Sequence, residues 1–407
     1  MAVPKLRFKE FDRDWTTQSL GNVTDITKLA GYEFTKHINY QDSGEIIALR
    51  GLNVKGNNLV LEDVKYIDNS DLSMLSRSKL YIDDLLFTYV GTIGEVALIP
   101  ENDKFYLAPN VCRIRRVNKN ILSKYLMFLF SNDNFKKNQI DKYTTKSSQP
   151  ALSMENIRKF EIVFPSVEEQ TKITSFLSTV DEKISQLTQK HELLNQYKQG
   201  MMQKLFSQQI RFKADDGSEF GEWENGCLGD ITAIQGGYAF KSNSFGKGAT
   251  KVLRIGDIRN KIFLDCFNGV YSEEIPDARY VVSKDAIVMA LSGATFGKLG
   301  KVVTGSAYLN QRVATFKVNE KTTNEYVYQV MLSKDFFNYI QSIPSASAQP
   351  NISNQDVINF EILIPCLEEQ TKIANFLSAI DQKIEVVAQQ IEQAKTWKKG
   401  LLQQMFI

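Results

Sequence analysis

The sequence predicts an α+β fold: two similar α+β domains separated by two long helices that form an antiparallel coiled coil, a pseudo-two-fold internal repeat. Three observations predict it. Residues 149–206 align without gaps onto residues 349–406 at a constant offset of 200. Both copies carry apolar residues at the alternating spacing of a heptad seam. Ahead of each copy lie short apolar runs broken by turn residues and followed by helical stretches, the pattern of a sheet with helices added later in the chain.

In chain order, the first domain is read as residues 1–165 and the first spacer helix as 166–206. The second domain follows as 207–365 and the second spacer helix as 366–407. The first domain offers β-like runs at Ile46–Leu49, Leu85–Val90 and Val96–Ile99, with helix near 121–139. The second offers Lys251–Ile255, Ala286–Ala290 and Val302-Val303, with helix near 323–342. Looser echoes tie the domains together: Arg7-Phe8-Lys9 with Arg211-Phe212-Lys213, Trp15 with Trp223, and Leu49-Arg50 with Leu253-Arg254.

The helices are far more alike than the domains. Glu168-Glu169-Gln170-Thr171-Lys172-Ile173 recurs unchanged as Glu368-Glu369-Gln370-Thr371-Lys372-Ile373, and Phe160-Glu161-Ile162 recurs as Phe360-Glu361-Ile362. Ser166 and Glu169 have capping-box spacing, which starts a helix. The first seam runs Ile173, Leu177, Val180, Ile184, Leu187 and Leu194, then Met201 and Leu205. The second runs Ile373, Leu377, Ile380, Ile384, Val387 and Ile391, then Ala394, Leu401 and Met405. Two equal stripes, each needing a partner, most simply pair with each other. A helix of about 39 residues spans roughly 58 Å, longer than one small domain offers as a resting surface. Antiparallel pairing sets Ile173 near Met405. Gly200 and Gly400, inside the pattern, mark a bend, a helix end or a close contact.

Candidate binding residues cluster in the domains. Each domain has a glycine-punctuated loop after a strand, Gly91-Thr92-Ile93-Gly94 and Ser292–Lys298. The second lacks the spacing and the Ser or Thr of a phosphate loop. It is either a tight hairpin or a turn that lets backbone approach a ligand, with Thr92, Thr295 and Lys298 as candidate contacts. Each domain ends in a polar loop, Thr144–Gln149 with Lys146, Ser147, Ser148 and Gln149, and Ser345–Gln349 with Ser347 and Gln349. These side chains suit phosphates and base edges, or simply solvate a connector. Arg113, Arg115 and Arg116, with Lys136-Lys137, either neutralise phosphates or line an exposed face. Arg50, Arg254, Gln311 and Arg312 complete the set, because Arg and Gln make bidentate contacts to guanine and adenine.

Composition narrows the alternatives. Two histidines, His37 and His191, leave little for a His-based triad or zinc centre. Cys112, Cys227, Cys266 and Cys366 are scattered, as isolated reduced thiols are, and no metal site is expected. No apolar run approaches the length of about 20 residues that crosses a bilayer, and the start of the chain has no apolar signal core. A cytoplasmic protein without membrane contact is expected. The net charge of +2 does not by itself argue for nucleic acid.

Two variable domains, each closed by a repeated Phe-Glu-Ile…Pro…Glu-Glu-Gln-Thr-Lys-Ile entry into a long helix, resemble the specificity subunit of a type I restriction-modification system. The resemblance covers the whole chain, and its motif occurs twice, at 160–173 and 360–373. It implies a non-catalytic subunit with two target-recognition domains, each reading half of a split site in double-stranded DNA. It implies helices that set the spacing and dock two methyltransferase (modification) subunits, with restriction subunits joining. S-adenosylmethionine, ATP and magnesium then belong to those partners, and this chain carries no cofactor. The competing reading is a coiled-coil scaffold or adaptor without DNA affinity.

Overall fold

The computed structural model of the chain describes residues 4–29, 31–145, 148–343 and 351–407. It divides into two compact units, the first of them discontinuous in sequence. The first comprises Met1–Thr188 with Gln389–Ile407, the second Gln189–Ala388. Each long helix, Val167–Phe206 and Leu367–Met405, is therefore shared, its N-terminal half in one unit and its C-terminal half in the other.

In the first unit a four-stranded antiparallel sheet runs in the order Thr24–Lys28, Val111–Arg116, Leu85–Thr88, Val96–Leu98. Its inner strands, Leu85–Thr88 and residues 111–114, are buried on both faces, and side-chain alternation sorts them. Leu85, Phe87, Val96, Cys112 and Ile114 enter one core with the helices that follow; Leu86, Ala97 and Val111 enter another. That second core is closed by a three-stranded sheet of Lys65–Tyr66, Ile47–Leu49 and Phe105–Leu107.

The second unit repeats the plan. Its larger sheet runs Thr232–Gly236, Val313–Val318, Ile287–Ala290, Leu299–Thr304, Lys261–Phe263. Ile287 and Met289 enter one core, Val288 and Ala290 the other. Helices Asn324–Met331 and Lys334–Ser342 stand where the sequence places helix.

The long helices pair antiparallel within each unit. Ile173, Leu177 and Val180 share the first unit's core with Leu401, Leu402 and Met405; Met202 and Leu205 share the second's with Ile373, Leu377 and Ile380. Leu187, Val387 and Ile391 are also buried, while Ile184, Leu194 and Ile384 are half-buried. Each helix thus packs on its own domain at one end and on the other domain at the far end. Pairing and core packing are the same contacts. Ion pairs fix the register: Lys198 Nζ lies 2.7 Å from Asp381 in the second unit, and Lys398 Nζ lies 2.5 Å from Asp181 in the first.

The repeated hexapeptide is explained by what each side chain holds. Gln170 donates to the carbonyls of Pro165 and Asn120 and accepts from Leu122 N–H; Gln370 donates to Pro365 and Lys321 and accepts from the Thr322 hydroxyl. Glu169 binds Arg7 and Glu369 binds Arg211, each through two hydrogen bonds. One expectation needs correction. Ser166 Oγ accepts from Glu169 N–H at 3.4 Å, but the Glu169 carboxylate turns to Arg7, so the capping box is half made.

Candidate nucleic-acid interface

Four loops meet at one edge of each unit. In the first, Ala108 N–H donates to Leu49 O (3.0 Å) and Tyr89 N–H to Asn110 O (3.0 Å). Leu152 N–H donates to Tyr89 O (2.9 Å) and Gly91 N–H to Pro150 O (3.1 Å). These bonds stitch residues 49–53, 89–94, 108–110 and 150–152 together. Gly91 and Gly94 take φ of +80° and +89°, which only glycine adopts cheaply, so the loop is a tight hairpin between Leu85–Thr88 and Val96–Leu98.

The second unit is stitched in the same way. Asn310 N–H donates to Leu253 O (3.0 Å), Leu291 N–H to Arg312 O (2.9 Å) and Ile352 N–H to Leu291 O (2.9 Å). These bonds make the backbone positions equivalent: Arg50 with Arg254, Tyr89 with Leu291, and Pro109-Asn110 with Gln311-Arg312. Gly293 and Gly297 repeat the positive φ.

Arg50 and Arg254 each begin a single helical turn whose third residue, Asn53 or Asp257, accepts from the arginine backbone N–H at 3.0 Å. Arg50 Nη2 donates to Asp63 O and Oδ1, both at 2.8 Å, while Arg254 Nε lies 3.5 Å from Asp257 Oδ2. In both residues Nε is enclosed without a hydrogen-bond partner among the described residues. A depression of about 440 Å³ in the first unit is lined by Tyr40, Arg50, Leu52, Thr92, Pro109 and Asn110. Burial pushes the Tyr40 hydroxyl pKa up, opposed by the nearby Arg50 charge. In the second unit the Thr295 hydroxyl donates to Ile255 O (3.3 Å), Lys298 is half-exposed, and Gln311 and Arg312 are exposed.

The structure brings together Arg50 and Thr92 in one unit, and Arg254, Thr295, Gln311 and Arg312 in the other. Ser148 and Gln149 are exposed beside the stitched Pro150. Lys146, Ser147, Ser347 and Gln349 lie outside the described residues. Arg113 and Arg115 are corrected. Arg113 is buried, with Nη2 on Asp25 and Nη1 on Arg77 O. Arg115 makes a bidentate pair with Asp84 at 2.6 Å and lies over the Tyr81 ring. Their charges are answered inside the domain, so they leave the candidate interface. Arg116 is exposed at the far end of the strand.

Sequence reading missed Tyr40, Leu52, Asn110 and Asn351. Asn351 carried a signal, because the repeat changes from Ala151 to Asn351 just after the matched Gln-Pro pair. Among the described residues, no three His, Cys, Asp or Glu side chains are placed to hold a metal ion, and no helix is long and apolar enough to cross a membrane.

Known proteins share this architecture. The family described as the type I restriction modification DNA specificity domain matches residues 12–196 and again 221–396. The type I restriction enzyme MjaVIII specificity subunit of Methanocaldococcus jannaschii is 29% identical over 335 residues, 79% of this chain and 77% of its own. The putative MjaX specificity subunit of the same organism is 27% identical, over 98% of this chain and 94% of its own. The crystal structure of the type I restriction-modification S subunit from M. genitalium matches with a TM-score of 0.60 at 16% identity. That match covers 100% of this chain and 99% of the other, a likeness of fold. The chain, with this domain present twice and each copy ending in a shared long helix, belongs to the type I restriction-modification specificity-subunit family.

Proposed function

We propose that this chain reads a bipartite site in double-stranded DNA, each unit contacting one half through its stitched loop edge. One observation carries the reading: the two edges share a backbone but differ in the side chains they present. A common scaffold with changed contacts is what two readers of two different half-sequences need. The paired helices set the gap and dock two modification methyltransferase subunits, which restriction subunits join. Methyl transfer and ATP-dependent cleavage, with S-adenosylmethionine, ATP and magnesium, belong to those partners. The chain works in the cytoplasm, where such a complex meets DNA.

The test is modular exchange. Residues 1–165 are replaced by the matching domain of a related subunit, and methylated bases are mapped across the genome of cells carrying the assembled complex. One half of the methylated sequence should change and the other stay. A simultaneous change in both halves overturns the two-reader model. If the purified chain with its modification subunits shows no salt-dependent affinity for any duplex, it is a scaffold instead.

A further inference from the structure

We propose that Gln311 and Arg312 are the residues by which the second unit chooses its half-site, each reading a purine edge; this deepens, and rests on, the DNA-reading role above. The backbone equivalence sets up the argument. Arg50 and Arg254 hold the same place in both units with the same turn beneath them, so they cannot explain why two half-sites differ. The adjoining positions do differ. Where the first unit has Pro109 and Asn110, the second has Gln311 and Arg312.

Pro109 has no side-chain donor, and Asn110 holds φ of +72°, a strained place for a long side chain. Arg312 does not take a positive φ. It sits in the turn immediately before the strand Val313–Val318, with its carbonyl held by Leu291 N–H at 2.9 Å and the turn closed by Val313 N–H on Asn310 O at 2.8 Å. Its Nη1 donates to Asn351 Oδ1 at 3.2 Å, which orients the fork by one edge and, among the described residues, leaves the other edge unengaged. Gln311 is exposed; its backbone N–H is tied to Asn310 Oδ1 at 2.9 Å, and among the described residues no bond holds its side-chain amide. A guanidinium fork matches the two acceptors of guanine and a carboxamide the acceptor–donor pair of adenine. Both side chains stand on a hydrogen-bonded turn leading straight into a central strand, which holds the contact geometry.

The experiment maps methylated sequences with the full chain and its modification subunits, comparing Gln311→Ala, Arg312→Ala and Arg312→Lys. Each alanine variant should relax one base position in one half-site, with discrimination there falling roughly 5- to 150-fold. The other half should stay unchanged. Arg312→Lys should relax like Arg312→Ala, because lysine keeps the charge but loses the fork. Three results overturn the proposal: an unchanged methylated sequence, uniform weakening over all sequences, or rescue by lysine, the last two marking a phosphate contact. Gln311→Ala removes no side-chain bond among the described residues, so its result stands even if Arg312 variants fold poorly. Failure of the DNA-reading role is a separate outcome, seen as no bipartite methylation by the unaltered complex.

Discussion

Glu169 and Glu369 occupy identical hexapeptides, yet they hold different amounts of structure. Each accepts two bonds from an arginine near the start of its domain, Arg7 or Arg211. Glu369 also accepts the Trp223 indole N–H at 2.9 Å. The equivalent Trp15 Nε1 in the first unit is buried with no hydrogen-bond partner among the described residues. Farther along the helices the same kind of difference recurs. Asp381 holds Lys198 and also takes a bond from Gln329 (2.9 Å), whereas Lys398 in the first unit pairs with Asp181 and lies 5.7 Å from the Phe128 ring. Equal sequence at the anchor therefore does not mean equal energetics. The partners come from the divergent domains, and those partners decide how much each anchor stabilises.

The largest consequence is at the glutamates. Glu369→Ala is expected to lower stability by about 3–5 kcal/mol, since it strands a partly buried arginine. Glu169→Ala should cost about 1.5–3 kcal/mol less, the worth of one more hydrogen bond to a charged group. Urea unfolding of the two variants checks this, and equal losses break the comparison. The tryptophans sharpen it. Trp223→Phe should cost about 1.5–3 kcal/mol more than Trp15→Phe, because only the first substitution removes a made bond, while the second also removes an orphaned donor. A Trp15→Phe loss as large as that of Trp223→Phe would place a partner on the Trp15 indole.

A smaller asymmetry is expected at the interhelical ion pairs. Asp381→Ala should cost about 1–2 kcal/mol, since Lys198 is buried and loses its carboxylate. Asp181→Ala should cost under about 1 kcal/mol, because Lys398 is more exposed and keeps the aromatic face. The exchange Lys198→Asp with Asp381→Lys should recover part of the loss. No recovery would mean that Gln329, rather than the charge pair, sets the requirement.

How much was legible follows the same division. The heptad phase, the antiparallel register and the burial of Ile173, Leu177, Leu377 and Val387 were readable because local periodicity and the repeat determine them. Lys198 was not readable as a buried residue, since nothing in its own helix announces Asp381, 183 residues away. Arg113 and Arg115 looked like a basic tract for the matching reason. Asp25 and Asp84 reach them only once strands and loops from distant parts of the chain are assembled. At the interface, residue types were legible but placement was not. Equivalence of Pro109-Asn110 with Gln311-Arg312 was within reach of the sequence, because Tyr106-Leu107 and Tyr308-Leu309 precede them at the same spacing, but only the hydrogen bonds between loops place both pairs at the interface.

The smallest expected effect is also the one place where both units should respond alike. Gly200 and Gly400 were compatible with a bend, a helix end or a close contact. The helices run on to Phe206 and Met405, so neither glycine ends one. Neither takes a positive φ, and a Cβ built at either would meet nothing within 4 Å. No contact within the described residues therefore needs a glycine there, and the backbone loses entropy on folding for no intramolecular gain. Gly200→Ala and Gly400→Ala should each raise stability by about 0.5–1 kcal/mol. Thermal unfolding measures the gain, and methylation by the assembled complex gives a second readout. Stabilised variants with unchanged methylation would leave the glycines without a role in either unit. Stabilised variants that lose methylation would show that the open surface at these positions is kept clear for a partner subunit. A gain at one glycine and a loss at the other would show that the two units already differ in the helices, where their sequences agree most.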